Sequence, residues 1–209
     1  MGFIFTIIAF LIVLTIHEFS HAWMANRLGD PTAKYAGRVT LNPMAHLDLM
    51  GTLLLIFIGL GWGKPVPVDP RNFEKPIRDS AIVAAAGPAS NIVLAFATAI
   101  PYKYLMTSGS ENLALLGGFF GAVFQLSLVL FIFNFLPFPP LDGSKVVGYF
   151  MPMKYQRQYQ EFLYNGPKYF MIFMIVDMFL IEEILGASIV WSVISYLYAI
   201  ISTAILSIT

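Results

Sequence analysis

The run His17-Glu18-Phe19-Ser20-His21 sets two imidazoles four residues apart with a carboxylate beside the first. On a helix, residues i and i+4 share one face. Both rings can then reach one metal ion, and zinc accepts imidazole nitrogen at about 2.0–2.1 Å. Glu18 lies one position on, close enough to hold a water without ligating. Two ligands and a general base are the layout of a hydrolytic zinc site. The setting adds weight, because no charged residue occurs from Phe3 to Ile16. Ionisable groups at membrane depth are costly and mark functional sites. The plain alternative, two buried histidines satisfied by hydrogen bonds, leaves Glu18 unexplained.

Such a site needs a third protein ligand and an open position. His46, in TLNPMAHLDLMG, and Asp142, in FNFLPFPPLDGSKV, both have suitable chemistry. Pro137, Pro139 and Pro140 must break a helix, and Gly143 permits a turn. Irregular backbone at membrane depth is tolerated only where protein or water surrounds it. This segment can therefore fold Asp142 back toward the bilayer. His46 has an alternative role, pinning a loop by a hydrogen bond. Asn134, just before the prolines, suits either an oxyanion donor or a bond to the backbone that they free. Asn91 is a candidate neighbour of the site and Gly87 a packing residue. Asp177 reads as a functional acid or, more plainly, as an acid near a hairpin turn or facing a polar partner.

The elements that must position these residues are membrane-like. Of the 209 residues, 58% are hydrophobic and 11% charged, against roughly 25% charged in soluble domains. An all-α polytopic membrane protein is expected. The net charge is zero and no basic block suggests nucleic acid. Cysteine is absent, which excludes disulfides and thiolate chemistry. The first apolar run lacks a positive n-region and is read as a retained span.

A bilayer crossing takes about 20 mostly apolar residues. Five stretches fit: roughly 3–27, 80–103, 113–136, 169–185 and 187–208. The fourth is weak because of Asp177, Glu182 and Glu183. The short segment 50–63 reads as re-entrant, and a small β element is expected between the first two spans, around AGRVTLNP. Gly117 and Gly121 read as helix packing within one chain. Residues 1–150 form the expected core domain. Residues 151–209 form an interfacial segment and a helical hairpin.

Of the twelve basic residues, only Lys103 lies away from the connections that follow the first and third spans. The positive-inside bias predicts an outside N-terminus and a cytosolic C-terminus. The first span places His17 about 21 Å below Phe3, at 1.5 Å per residue. The third span runs the same way, so both motifs fall in the cytosolic half of the bilayer.

HEFSH in a first span, with Asn134, Pro137, Pro139, Asp142 and Gly143 after a third, resembles the site-2 protease family of intramembrane zinc metalloproteases. AAAGPASNIV, with Gly87, Pro88 and Asn91, looks like its GPxxN feature. TLNPMAH and GWGKPVPVDPRNF look like its compact prokaryotic branch, without PDZ-like or CBS-like domains. The resemblance covers about residues 3–150. It implies one zinc held by His17, His21 and Asp142, with Glu18 as catalytic base. It also implies intramembrane cleavage of membrane-protein substrates in a prokaryotic plasma membrane. Such substrates should carry a helix-weakened span, since a helix hides its peptide carbonyls. A metal-ion transporter or metal-binding membrane protein is the rival class, and an inactive scaffold a third. The substrate's identity and the oligomeric state are not legible.

Overall fold

A computed structural model describes residues 2–52 and 61–209. Six helices carry the architecture: α1 (Gly2–Arg27), α2 (Pro76–Met106), α3 (Glu111–Phe135), α4 (Asp142–Phe150), α5 (Gln156–Val176) and α6 (Ile189–Ile208). Among the described residues, α1, α2, α3 and α6 are long and apolar enough to cross a membrane.

Small residues set how close these helices come. Ala9, Ala22 and Ala25 on α1 and Ala84, Ala95 and Ala99 on α2 are fully or nearly fully buried. Little side chain separates the backbones, as in other membrane bundles. Ala95 and Ala99 pack with Phe124 and Leu128 of α3 and Ile205 of α6. A second cluster joins Ile132 of α3 to Met174 of α5 and to Val190 and Ile194 of α6. A Cβ on Gly121 would press on the Tyr102 ring, and one on Gly117 on Leu105 and Met106. Both glycines thus serve packing inside the chain, as expected.

The count of five spans is corrected to four. Residues 169–185 do not form a helix of their own. They continue α5, whose first half is polar, through a π-helical turn at Asp177–Ile181 and a last turn at Glu182–Leu185. Gly186 ends this run at φ 74°, in the left-handed region that favours glycine. Asp177 is buried and caps the next helix. It accepts from the Ser188 hydroxyl and from the N–H groups of Ile189 and Val190, at 2.8 and 3.2 Å. The hairpin-turn role foreseen for Asp177 is the observed one.

The direction of α6 follows from its contacts. It begins beside Ile132, near the end of α3 that leads to Asp142. It finishes where Lys103 Nζ donates to the Leu206 carbonyl at 3.0 Å. The C-terminus therefore lies at the end of the bundle where α1 begins, and not at the opposite end as five spans required.

The small β element is also corrected. Among the described residues there is no strand, only an isolated antiparallel bridge between Leu47 and Gly63. The backbone of the expected strand serves side chains instead. The Thr40 carbonyl receives His46, and Gly37 turns at φ 69°. The re-entrant reading of 50–63 falls mainly on 53–60, outside the described residues. Its flanks meet: Lys64 N–H donates to the His46 carbonyl at 2.8 Å.

Asp30 ties the connection between α1 and α2 together. It accepts from Thr32 N–H at 3.0 Å, Asp69 N–H at 2.8 Å and Asn72 Nδ2 at 2.7 Å. Burial raises the pKa of its carboxyl, but these bonds outweigh that and hold it below the ordinary carboxylate value.

Candidate metal centre

His17 and His21 sit one turn apart on the inner face of α1, both buried. Their Nε2 atoms are 3.0 Å from each other. Asp142 Oδ2 stands 3.3 Å from the first and 3.1 Å from the second. The three residues form a cluster able to hold a metal ion. Ligand atoms on a tetrahedral zinc at about 2.0–2.1 Å stand about 3.3 Å apart. The observed triangle therefore fits such an ion, and two nitrogens with one carboxylate oxygen is a donor set that zinc accepts.

Each neighbouring element explains one part of this arrangement. Asp142 is the first residue of α4, reached through the proline-broken segment after α3. Gly143 lies so close to the Phe135 and Leu136 carbonyls that a Cβ would collide with backbone. The acid can turn inward only because that position is glycine. α5 then buttresses α4. Tyr159 Oη donates to the Ser144 carbonyl at 2.7 Å, and Gln156 Nε2 donates to the Gly148 and Met151 carbonyls at 3.0 and 2.8 Å. A Cβ on Gly166 would meet the Pro139 ring at 2.6 Å. Sequence reasoning gave the last sixty residues no part in the site. Nothing in their composition announces that they brace the Asp142 segment.

α2 forms the back wall. Val83, Gly87 and Asn91 recur every fourth residue and line one face. The Val83 carbonyl is 2.7 Å from His21 Nδ1. Gly87 lies flat against both rings, where a Cβ would stand 2.7 Å from His17 Cε1 and closer still to His21 Nε2. Asn91 is fully buried, with its amide 3.0 Å from His17 Nδ1. Gly87 thus packs as foreseen, but against the candidate ligands themselves.

The other candidates are engaged in other bonds. Asn134 Nδ2 donates to the Leu130 carbonyl one turn earlier in α3, at 3.0 Å, a bond within the helix and not the one to proline-freed backbone that was expected as an alternative. His46 is buried in a loop clasp. Its Nε2 donates to the Thr40 carbonyl at 2.8 Å, and its Nδ1 faces Arg38 Nη2 at 3.4 Å. Arg38 also donates to the Pro65 and Lys64 carbonyls, at 2.8 and 2.5 Å. Burial holds the Arg38 guanidinium below its ordinary pKa, and the Glu18 carboxylate opposes that shift. The loop is near enough to Glu18 for the two charges to interact, and Gly63 rests on Leu14. Glu18 itself is half-buried, at the edge of the site.

No family model and no solved structure matches the chain. Curated proteins do. The chain is 43% identical over 152 residues to "Putative zinc metalloprotease YwhC" of Bacillus subtilis, across 71% of this chain and 69% of that protein. It is 30% identical over 153 residues to "Putative zinc metalloprotease MJ0611" of Methanocaldococcus jannaschii, across 68% and 72%. It is 32% identical over 152 residues to "Putative zinc metalloprotease Rip2" of Mycobacterium tuberculosis, across 68% of this chain but only 55% of that protein. The chain belongs to the family of these relatives, which carry the name putative zinc metalloprotease, in keeping with its resemblance to compact site-2 proteases.

Proposed function

We propose that this protein is a zinc metalloendopeptidase that cleaves within the membrane-spanning segments of other proteins. One observation carries the reading: three donor atoms converge within 4.8 Å of one another inside an apolar bundle, next to a helix position holding Glu18. His17, His21 and Asp142 would hold one zinc. The ion would supply Lewis acidity toward a water and the scissile carbonyl. Glu18 takes a proton from the attacking water and delivers it to the leaving amine. The bundle walls restrict bulk water, so charge developing in the site is weakly screened. Asn134 keeps a second amide hydrogen beyond its helix bond, and in this reading it is the candidate donor to the carbonyl oxygen.

The substrate is a span weakened by residues that unwind readily. Its unpaired backbone needs new partners in lipid. Purified protein incubated with peptides of membrane spans should cleave those with helix-breaking residues, and a chelator should abolish the cleavage. Equal cleavage with and without chelator would refute the metal's role.

Residues 1–150 form the peptidase core in this reading, and 151–209 support it. The N-terminus lies outside the cell, with the centre in the cytosolic half of the membrane. The chain's lack of cysteine gives a clean background for labelling. In intact cells, an impermeant thiol reagent should label Ser108→Cys, in the α2–α3 turn, and spare Asn72→Cys. The opposite pattern would invert the orientation.

A further inference from the structure

We propose that Asn91 is a positioning residue for the metal centre, its side-chain oxygen accepting from His17 Nδ1–H so that His17 Nε2 keeps its lone pair. The proposal rests on the zinc reading above and adds to it a fourth residue, on a different helix, that selects the ligand's tautomer. A neutral imidazole carries one proton, on Nδ1 or on Nε2. A ring that ligates through Nε2 must carry it on Nδ1, and the group behind Nδ1 decides which form is stable.

For His21 that group is the Val83 carbonyl, 2.7 Å away. A carbonyl only accepts, so His21 is set with Nδ1–H and a free Nε2. For His17 the group is the Asn91 amide at 3.0 Å. An amide offers either an acceptor or a donor to the ring, because its oxygen and nitrogen exchange places by a half-turn. With nitrogen toward His17, the ring must accept at Nδ1 and carry its proton on Nε2, aimed at Asp142. In that orientation Asn91 Oδ1 is buried without any hydrogen-bond partner. The half-turn places this orphaned oxygen on His17 Nδ1–H and leaves the amide NH₂ unpaired in its stead. Burial alone therefore does not choose between the two. The metal chooses, since only the oxygen-inward form leaves both Nε2 lone pairs facing Asp142. Asn91 and the Val83 carbonyl then do the same work from the same face of α2, two turns apart, with Gly87 between them.

The test is the zinc dissociation constant of detergent-purified protein, measured by competition with a chelating dye, with unfolding temperature as a check on folding. Asn91→Leu keeps the volume and removes the acceptor. It should weaken zinc roughly 10–100-fold, the usual effect of losing such a partner. Asn91→Asp keeps an acceptor and removes the donor, and should retain zinc within a few-fold of the parent. Parent-like zinc affinity in folded Asn91→Leu would overturn the proposal while leaving the zinc site intact. Loss of zinc in Asn91→Asp equal to that in Asn91→Leu would overturn the assignment of the oxygen. If Asn91→Leu yields no folded protein, the Asp variant decides alone: retained zinc supports the proposal and lost zinc overturns it. A parent protein that binds no zinc would instead refute the metalloprotease reading, and this proposal with it.

Discussion

Glu18→Gln should keep its zinc and lose peptide cleavage. The substitution preserves size and hydrogen-bonding reach but removes the carboxylate that neighbours His17 in the chain and is assigned the proton from water. General-base assistance is worth about 10²–10⁴ in rate, so turnover should fall by at least that factor. Zinc content per chain should stay at the parent value, because Glu18 is outside the triangle of His17, His21 and Asp142. The two measurements together also separate the rival class. In a metal transporter the ligands govern flux and a neighbouring acid is dispensable, so Glu18→Gln would pass metal normally. Cleavage at near the parent rate would end the base assignment.

Asp142→Ala should lose most of its zinc and all activity, whereas His46→Ala should keep its zinc. Both residues had the right chemistry. Their surroundings separate them. Asp142 Oδ2 is within 3.3 Å of both imidazole Nε2 atoms, and a partly buried acid so placed calls for a cation. Two neutral imidazoles and one carboxylate also offset only one unit of a zinc ion's charge, which favours acidification of a bound water. His46 has both nitrogens engaged, by the Thr40 carbonyl and Arg38. Its removal strands a buried Arg38 donor, a loss of about 1–3 kcal/mol, and should appear as lowered stability. Atomic absorption on the two purified variants decides the matter. A reversed pattern of zinc loss would show that the third ligand has been misassigned.

The chemistry of HEFSH was legible from sequence because helix geometry fixes it locally: residues four apart on one helix must share a face. The prolines and Gly143 made Asp142 a candidate partner for this motif, but the residues alone left His46 open beside it, and the family resemblance pointed to Asp142. The membrane class followed from composition summed over long stretches. Three other features were not legible, and each depends on partners distant in the chain. The fourth span dissolved because residues 169–185 continue a helix that starts in the polar stretch at Gln156, and that reversed the side on which the C-terminus lies. The expected strand gave way because Thr40 and Lys64 turn their carbonyls to His46 and Arg38. Asn91 was a candidate neighbour from sequence, but only the tertiary structure showed that it meets His17, put Gly87 against both histidines, and set Tyr159 and Gln156 behind the Asp142 helix. Hydropathy and periodicity describe one segment at a time, whereas the close approach of α2 to α1 is set by which small residues meet across the interface, a property that belongs to the pair of helices and to neither one alone.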